Sequence, residues 1–200
     1  MILMAAAQRA GLTPMPGWQV HRLAFLANCL SPVYDVPMLT DRVLKYRRGP
    51  FYPDLQWDLD RLSVQGLTEI SNIRHEEDDA GWWFFADYAV SIEGMKKADQ
   101  CREISRWARE LYEYLLEAAG AYEELGELAR VHAAFEDVNY SNPGVMTEHE
   151  VIFKDMEANF TVRATEALQN FVTAGPPLSR RDRLYLYFGY LDGMVLKIAV

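Results

Sequence analysis

The sequence predicts an α+β fold in which helices predominate. Two segments, Thr68 to Arg74 and Trp82 to Ile92, are rich in β-branched and aromatic residues and flank a polar turn, which is typical of two paired strands. Most of the remaining chain repeats apolar residues every three or four positions, which is the period of a helix. The 200 residues are 50% hydrophobic and 12% aromatic, enough to form a packed core.

A helix is predicted directly before these strands. Pro53 suits the first turn of a helix, and Gly66 marks its end. A shorter helix is predicted within Pro37 to Leu44, ahead of an extended turn at Gly49-Pro50. Two helices followed by a hairpin occur in this order in a helix-turn-helix with a wing, so the first half is predicted to be a winged helix.

Leu55, Leu59 and Leu62 form the inner face of the second helix. The opposite, outer face is the one that a partner can contact, so its residues determine what this module binds. Carboxylates on the outer face, and four consecutive acids in the turn of the wing, repel the phosphates that a DNA reader must neutralise. Protein binding is therefore favoured, with Trp57 as an anchor; the alternative is that Trp57 packs inside the protein. The candidate interface residues are Asp54, Trp57, Asp58 and Arg61.

Two basic groups remain as possible contacts to nucleic-acid phosphates. One precedes the Gly49-Pro50 turn, and the other begins the last predicted helix. The alternative for the second group is an ordinary solvated face. The residues are Lys45, Arg47, Arg48, Arg180, Arg181 and Arg183.

Overall charge and composition narrow the possible partners and the compartment. A net charge of -9 disfavours non-specific binding to nucleic acids or anionic membranes and suits a basic partner. Two cysteines suggest neither a disulfide framework nor a thiolate metal site. No apolar run approaches the roughly 20 residues of a membrane span, and the start of the chain lacks the features of a signal peptide. We expect a cytoplasmic protein without membrane contact.

The chain divides into three predicted parts: an arm over residues 1–17, flexible or packed; a winged-helix domain over 18–97; and a helical domain over 98–200. Trp18 to Leu30 is apolar nearly all round and predicts a buried central helix. The second domain is predicted to contain a long helix from Ile104 to Leu125, with a possible break at Gly120, and a further helix through Leu128 and Phe135.

Two later helix starts are predicted from capping patterns. Thr147 with Glu150 forms a capping box for a helix ended by Gly175-Pro176-Pro177. Its predicted apolar residues are Ile152, Phe153, Met156, Phe160, Ala164, Leu168 and Phe171. Ser179 with Asp182 starts the last helix, whose apolar seam docks either on the earlier helices or on another subunit. The cluster from Asn139 to Gly144 predicts a turn between helices.

Catalytic and metal-binding groupings are missing from the sequence. There is no phosphate-binding glycine loop and no nucleophile elbow. His149-Glu150 lacks the second histidine of a zinc helix, and His21 and His132 are expected to be buried or partly buried histidines. We therefore expect a protein that is not an enzyme and needs neither cofactor nor metal.

The run YRRGPFYPDLQWDLDRL at 46–62, with Gly66-Leu67, resembles the Y-G-P-Y-S-x-x-L-x-x-D-L-x-x-L-x-x-x-G-L-I pattern of small bacterial winged-helix proteins of the YwgA and Panacea-antitoxin kind. With HRLAFLAN at 21–28, it also resembles the middle, accessory components of three-component Lamassu-type defence systems. The helices after Asn139 favour these longer proteins over the antitoxins.

The resemblance covers the first half of the chain and implies a non-catalytic subunit of a bacterial antiphage complex. Such a subunit bridges an SMC-like ATPase and a nuclease effector, and it contacts DNA, if at all, through the complex. Two alternatives stay open: a DNA-binding transcriptional regulator, and the antitoxin of a toxin–antitoxin pair.

Overall fold

The computed structural model describes residues 1–78, 81–153, 159–172 and 177–198. The predicted class, α+β and mostly α, is confirmed. The first half contains α1 (Ile2–Arg9), β1 (Met15–Pro16), α2 (Gly17–Leu30), β2 (Arg42–Tyr46), β3 (Gly49–Phe51), α3 (Pro53–Val64), β4 (Thr68–Asp78) and β5 (Gly81–Val90). The second half contains α4 (Ile92–Ile104), α5 (Arg106–Glu123), α6 (Glu127–Glu136), β6 (His149–Ile152), α7 (Phe160–Val172) and α8 (Arg180–Ile198).

The predicted central helix is α2, and it is confirmed. Its side chains are buried on every face, so it packs against α5, α6 and α7 as well as the strands β1, β3 and β5. Even its polar residues His21, Arg22 and Asn28 lie inside. Asn28 accepts hydrogen bonds from the amides of Leu39 and Thr40, and these bonds fix the loop that follows α2.

Two small antiparallel sheets flank α2. The first has the strand order β1-β5-β4, with Met15 and Ile70 on either side of Tyr88. The predicted strands are confirmed, but β4 continues to Asp78, so His75 to Asp78 belong to the strand and not to the turn. Asp79 and Ala80, the rest of the predicted turn, lie outside the described residues.

In the second sheet, two segments that were predicted to be helical are strands. Its order is β3-β2-β6, where Lys45 lies opposite both Pro50 and His149. The short helix predicted within Pro37 to Leu44 is wrong, because β2 begins at Arg42. The helix start at Thr147 is also wrong, because Glu148 adopts a left-handed φ of 69° and β6 follows. Both segments are strands because they pair with each other across a hundred residues of chain.

Helix α7 begins at Phe160, whose amide donates to the side chain of Asn139 in the preceding turn. The turn predicted from Asn139 to Gly144 is confirmed. Gly175 and Pro176, which were predicted to end this helix, lie outside the described residues; α7 itself ends at Val172.

The remaining helices lie where the spacing of apolar residues predicts them. Helix α5 matches the predicted long helix, but it begins at Arg106, after Ser105 caps its first turn, and it passes through Gly120 without a break. Ile104, where the helix was predicted to begin, and Trp107 in its first turn are both exposed. The Ser179 cap of α8 is confirmed by the Asp182 amide, 3.1 Å from the Ser179 hydroxyl.

The two halves of the chain share one core. Helix α1 packs its small residues Ala5, Ala6 and Ala7 against α5 and β5, so the start of the chain is a buried helix and not a flexible arm. The boundary predicted between residues 97 and 98 lies inside α4. The apolar seam of α8 docks in cis, on α5, α6 and α7.

Candidate protein-binding surface

Helix α3 forms where the sequence predicts it. Pro53 occupies its first turn, and Leu59 is buried against the core while Leu55 and Leu62 are half-buried. Gly66 ends the helical segment with a φ of +70°, a conformation that glycine adopts without strain. The Leu67 amide then closes the end by donating to the Leu62 carbonyl at 2.9 Å.

The outer face of α3 carries the residues predicted for a protein interface. Asp54, Trp57, Asp58 and Arg61 are all exposed, and 65% of Trp57 is accessible to solvent. An accessible tryptophan is one of the side chains most often found as an anchor at protein interfaces. The Trp57 side chain is therefore not packed inside the protein, and a partner can reach it.

Acidic side chains lie beside Trp57 on α3, where Asp58 is the next residue and Asp54 and Asp60 are each three positions away. Between residues 53 and 90 the sequence has nine acids and only two arginines. We call six exposed acids on α3 and β4 the acidic surface. No lysine or arginine among the described residues forms an ion pair with any of them. The acidic surface consists of Asp54, Asp58, Asp60, Glu69, Glu76 and Glu77.

An aromatic cleft opens beside α3, between the β2–β3 hairpin and the β4–β5 hairpin. Its volume is about 580 Å³. The first turns of α2 and the flank of α3 form its floor. The side chains that define the cleft are Trp18, Tyr46, Phe51, Trp83, Phe85 and Tyr88.

A chain of hydrogen bonds crosses the floor of the cleft. The Tyr52 amide donates to His21 Nδ1 (3.2 Å), so Nε2 carries the proton and donates to Gln56 Oε1 (3.3 Å). The Gln56 amide group donates in turn to Asp60 Oδ1 (2.9 Å) and to the Tyr88 hydroxyl oxygen (3.2 Å). Burial lowers the pKa of His21 to about 4, so the imidazole is neutral at pH 7.

Gly49 allows the β2–β3 hairpin to approach α2 closely. Its φ is +120°, and a Cβ at this position would lie 3.1 Å from Arg22 Nε. Arg22 is buried; its guanidinium donates to the Arg48 carbonyl at 3.0 Å and stacks over Trp18. Arg48 itself lies 4.8 Å above the Trp83 ring, so the hairpin reaches across to the β4–β5 hairpin.

The basic residues predicted as phosphate contacts have partners within the protein. Lys45 donates to the Asn142 carbonyl, and Arg47 pairs with Glu148. Arg48 lies over the aromatic rings of the cleft. The second group lies against other elements: Arg180 pairs with Asp35, Arg181 pairs with Glu117, and Arg183 donates to the Val33 carbonyl.

Sequence reasoning missed a buried polar network around Asp137. Its carboxylate accepts from the Thr161 hydroxyl (2.7 Å), the Tyr187 hydroxyl (2.8 Å) and the Asn139 amide (2.9 Å). Burial raises the pKa of Asp137. The network joins the turn after α6 to α7 and α8. Because these hydrogen bonds satisfy the carboxylate, it is tolerated although it is fully buried. The three partners lie up to fifty residues away, so no local signal reveals it.

Among the described residues, no three histidine, cysteine or acidic side chains gather as a metal site. None of the described helices is long and apolar enough to cross a bilayer. No protein-family model, no curated protein and no solved structure matches the chain significantly.

Proposed function

We propose that the protein is a non-catalytic winged-helix adaptor that binds a partner protein through α3. The observation that carries this proposal is the exposed Trp57 beside the three acids of α3. Large aromatic side chains supply much of the binding energy at protein interfaces. The acids around it select a basic partner and repel nucleic acid.

The order of the elements supports the winged-helix assignment. The succession α1, β1, α2, α3, β4, β5, with the sheet order β1-β5-β4, supports a winged helix in which β1 is the short strand after the first helix. On this assignment α2 and α3 form the helix-turn-helix, and the β2–β3 hairpin is an insertion between them. The β4–β5 hairpin is the wing.

The resemblance of residues 46–67 to Lamassu-type accessory components supports a more specific role. In this role the protein is a cytoplasmic subunit of a bacterial antiphage complex and bridges an SMC-like ATPase and a nuclease effector. The bridging requires two separate surfaces. The acidic surface with Trp57 provides one of them.

A DNA-binding regulator is the principal competing function, and two observations disfavour it. The helix that would enter the major groove presents Asp54 and Asp58, which form no salt bridge with a lysine or arginine among the described residues. The basic residues of the β2–β3 hairpin and of α8 are engaged with different parts of the protein, as described above. Neither set is arranged as an uninterrupted basic face.

Co-purification tests the proposal. The affinity-tagged protein is expressed from its native locus together with the neighbouring genes, and the proteins that elute with it are identified by mass spectrometry. We expect an SMC-like ATPase and a nuclease in fixed proportion, retained after nuclease digestion of DNA. Recovery of DNA with no protein partner would support a regulator and reject the adaptor, and recovery of a toxin alone would support an antitoxin.

A further inference from the structure

The aromatic cleft is open and contains polar groups whose bonding capacity is only partly used. Tyr88 is 94% buried, and its hydroxyl oxygen accepts from Gln56. Its own hydroxyl hydrogen has no acceptor in the described part of the chain. Asp60 accepts one hydrogen bond from Gln56 and has no cationic partner there. The cleft therefore offers one donor and one anion beside a wall of aromatic rings.

We propose that this cleft binds a basic segment of a partner protein by taking one aromatic or large aliphatic side chain of that segment. The proposal rests on the proposed function in one respect, namely that the occupant belongs to a partner protein. It adds the chemistry of the partner and a second contact site beside Trp57.

The size and lining of the cleft suit an apolar side chain. Ligand sites of a few hundred cubic ångströms are lined mainly by apolar and aromatic side chains with a small number of polar groups, which suits a large apolar side chain together with its flanking backbone. Ile70, Ile73 and Phe84 lie at the rim and are 41%, 71% and 83% exposed. An apolar rim around an apolar cleft extends the contact beyond a single inserted side chain.

The lining of the cleft contains one cation, Arg48, which lies over the Trp83 and Phe85 rings, and one anion, Asp60. The acids beside the cleft favour a basic segment. Asp60 lines the cleft and also belongs to the acidic surface, whose other members on α3 and β4 likewise form no salt bridge with a lysine or arginine in the described ranges. By contrast, the acids opposite the β2–β3 hairpin, Glu148 and Glu150, are paired with Arg47 and Arg42. The unpaired negative charge thus lies on the α3 and β4 side of the opening, where a lysine or arginine of the partner pairs with Asp60.

The cleft and the Trp57 anchor are continuous. Trp57 and Asp60 are three residues apart on α3, so their side chains are neighbours on the helix surface. A partner that covers Trp57 therefore reaches Asp60 within one helical turn, and the next side chain of the partner enters the cleft. A backbone carbonyl of the partner accepts the free hydrogen of the Tyr88 hydroxyl.

Fluorine NMR of the intact protein labelled with 5-fluorotryptophan tests this site. The five tryptophans give separate reporters, each assigned with a single Trp→Phe variant. The probe is an acetylated and amidated peptide, Gly-Lys-Phe-Lys-Gly. Two matched peptides replace either the phenylalanine with alanine or both lysines with glutamate.

We expect the Lys-Phe-Lys peptide to shift the Trp18 and Trp83 signals saturably and to leave Trp107, on α5, unchanged. The alanine and glutamate peptides should not bind. Tyr88→Phe keeps the ring and removes the donor, which should weaken binding about two- to tenfold, the effect of one hydrogen bond. Asp60→Asn should also weaken binding, whereas Glu110→Gln, which changes an acid on α5, should not.

Three results would overturn the proposal: no saturable shift of Trp18 or Trp83, equal binding of the glutamate peptide, or a response of Trp57 alone. The last result would leave the adaptor function intact and confine it to the outer face of α3. Conversely, peptide binding in the cleft without any co-purifying ATPase, nuclease or other defined protein would reject the adaptor function and leave the cleft as a site for basic, apolar peptide segments.

Discussion

Trp57 and Leu59 lie two residues apart on α3 and face opposite ways. Leu59 is 1% exposed and packs into the core, whereas Trp57 is 65% exposed. Two residues correspond to about 200° of rotation around a helix, so the inward position of one requires the outward position of the other. The larger side chain therefore points into solvent, which is the basis for assigning it to binding.

The first prediction concerns folding stability. Leu59→Ala should lower the free energy of unfolding by about 2 to 5 kcal/mol, because it leaves a cavity in the core. Trp57→Ala should change it by less than about 0.5 kcal/mol, as expected for a surface position. Chemical denaturation of both variants measures the difference. A Trp57 variant that unfolds easily beside a stable Leu59 variant would mean that the helix faces the other way.

Helix α3 was predictable because its signals are local. Pro53, the leucine stripe and Gly66 each act within a few residues, and together they determine the position of the helix and its inner face. The exposure of Trp57 follows from the same periodicity. The capped start of α8 at Ser179 and Asp182 was predictable for the same reason.

The second sheet and the aromatic cleft were not predictable, because their determinants are distant in sequence. Strand β2 pairs with β6, and Val43 faces Val151. A window of sequence around Thr147 contains a good capping pattern, but the pairing with β2 prevails over it. The cleft likewise requires α2, α3 and both hairpins to meet, and Trp18, Phe51 and Trp83 give no sign in the sequence that they do so.

The second prediction is that the protein alone binds duplex DNA weakly. The acidic surface covers the positions that a reader would use, and phosphate binding requires cations there. Titration of labelled duplex near physiological salt should show no saturation in the nanomolar range. A variant with Asp54→Lys and Asp58→Lys is the informative comparison, and it should bind more tightly than the wild type. Tight, sequence-dependent binding by the wild type would overturn the adaptor account.

The third prediction is a loss of stability in mild acid caused by His21. Its pKa is lowered from 6.5 to about 4 by burial, so between these values the unfolded chain binds a proton that the folded protein does not. The contribution of neutral His21 to the free energy of unfolding is therefore fully present above pH 6.5. This contribution is lost as the pH decreases toward 4, and the loss is on the order of 3 kcal/mol. Denaturation at pH 7.5 and pH 5 measures the fall.

The His21→Phe variant is the control for this prediction. Phenylalanine keeps the ring contact with Phe51, 4.7 Å away between centroids, but it cannot titrate. The variant should be less stable at every pH, because the Tyr52 amide loses its acceptor, yet its stability should change less between the two pH values. Equal pH dependence in both proteins would exclude His21 as the cause.

The fourth prediction concerns the buried Asp137. Tyr187→Phe removes one of the donors to a fully buried carboxylate and should destabilise the fold by about 1 to 3 kcal/mol. Tyr190→Phe is the matched control on the same helix, because the Tyr190 hydroxyl has no hydrogen bond to any described residue. Thermal melts of the two variants should differ clearly. Equal melting temperatures would show that the Tyr187 hydroxyl contributes nothing to the network.

The central claim is that Trp57 anchors a partner protein, and the affinity of the purified partner for three proteins tests it most directly. Isothermal titration of the ATPase or nuclease recovered by co-purification compares the wild type, Trp57→Ala and Trp107→Ala. Trp107, on α5, is also exposed and serves as the control. We expect Trp57→Ala to lose about 2 kcal/mol of binding free energy or more, roughly a thirtyfold weaker complex, and Trp107→Ala to bind as the wild type does. Wild-type affinity in a folded Trp57→Ala protein would contradict the claim.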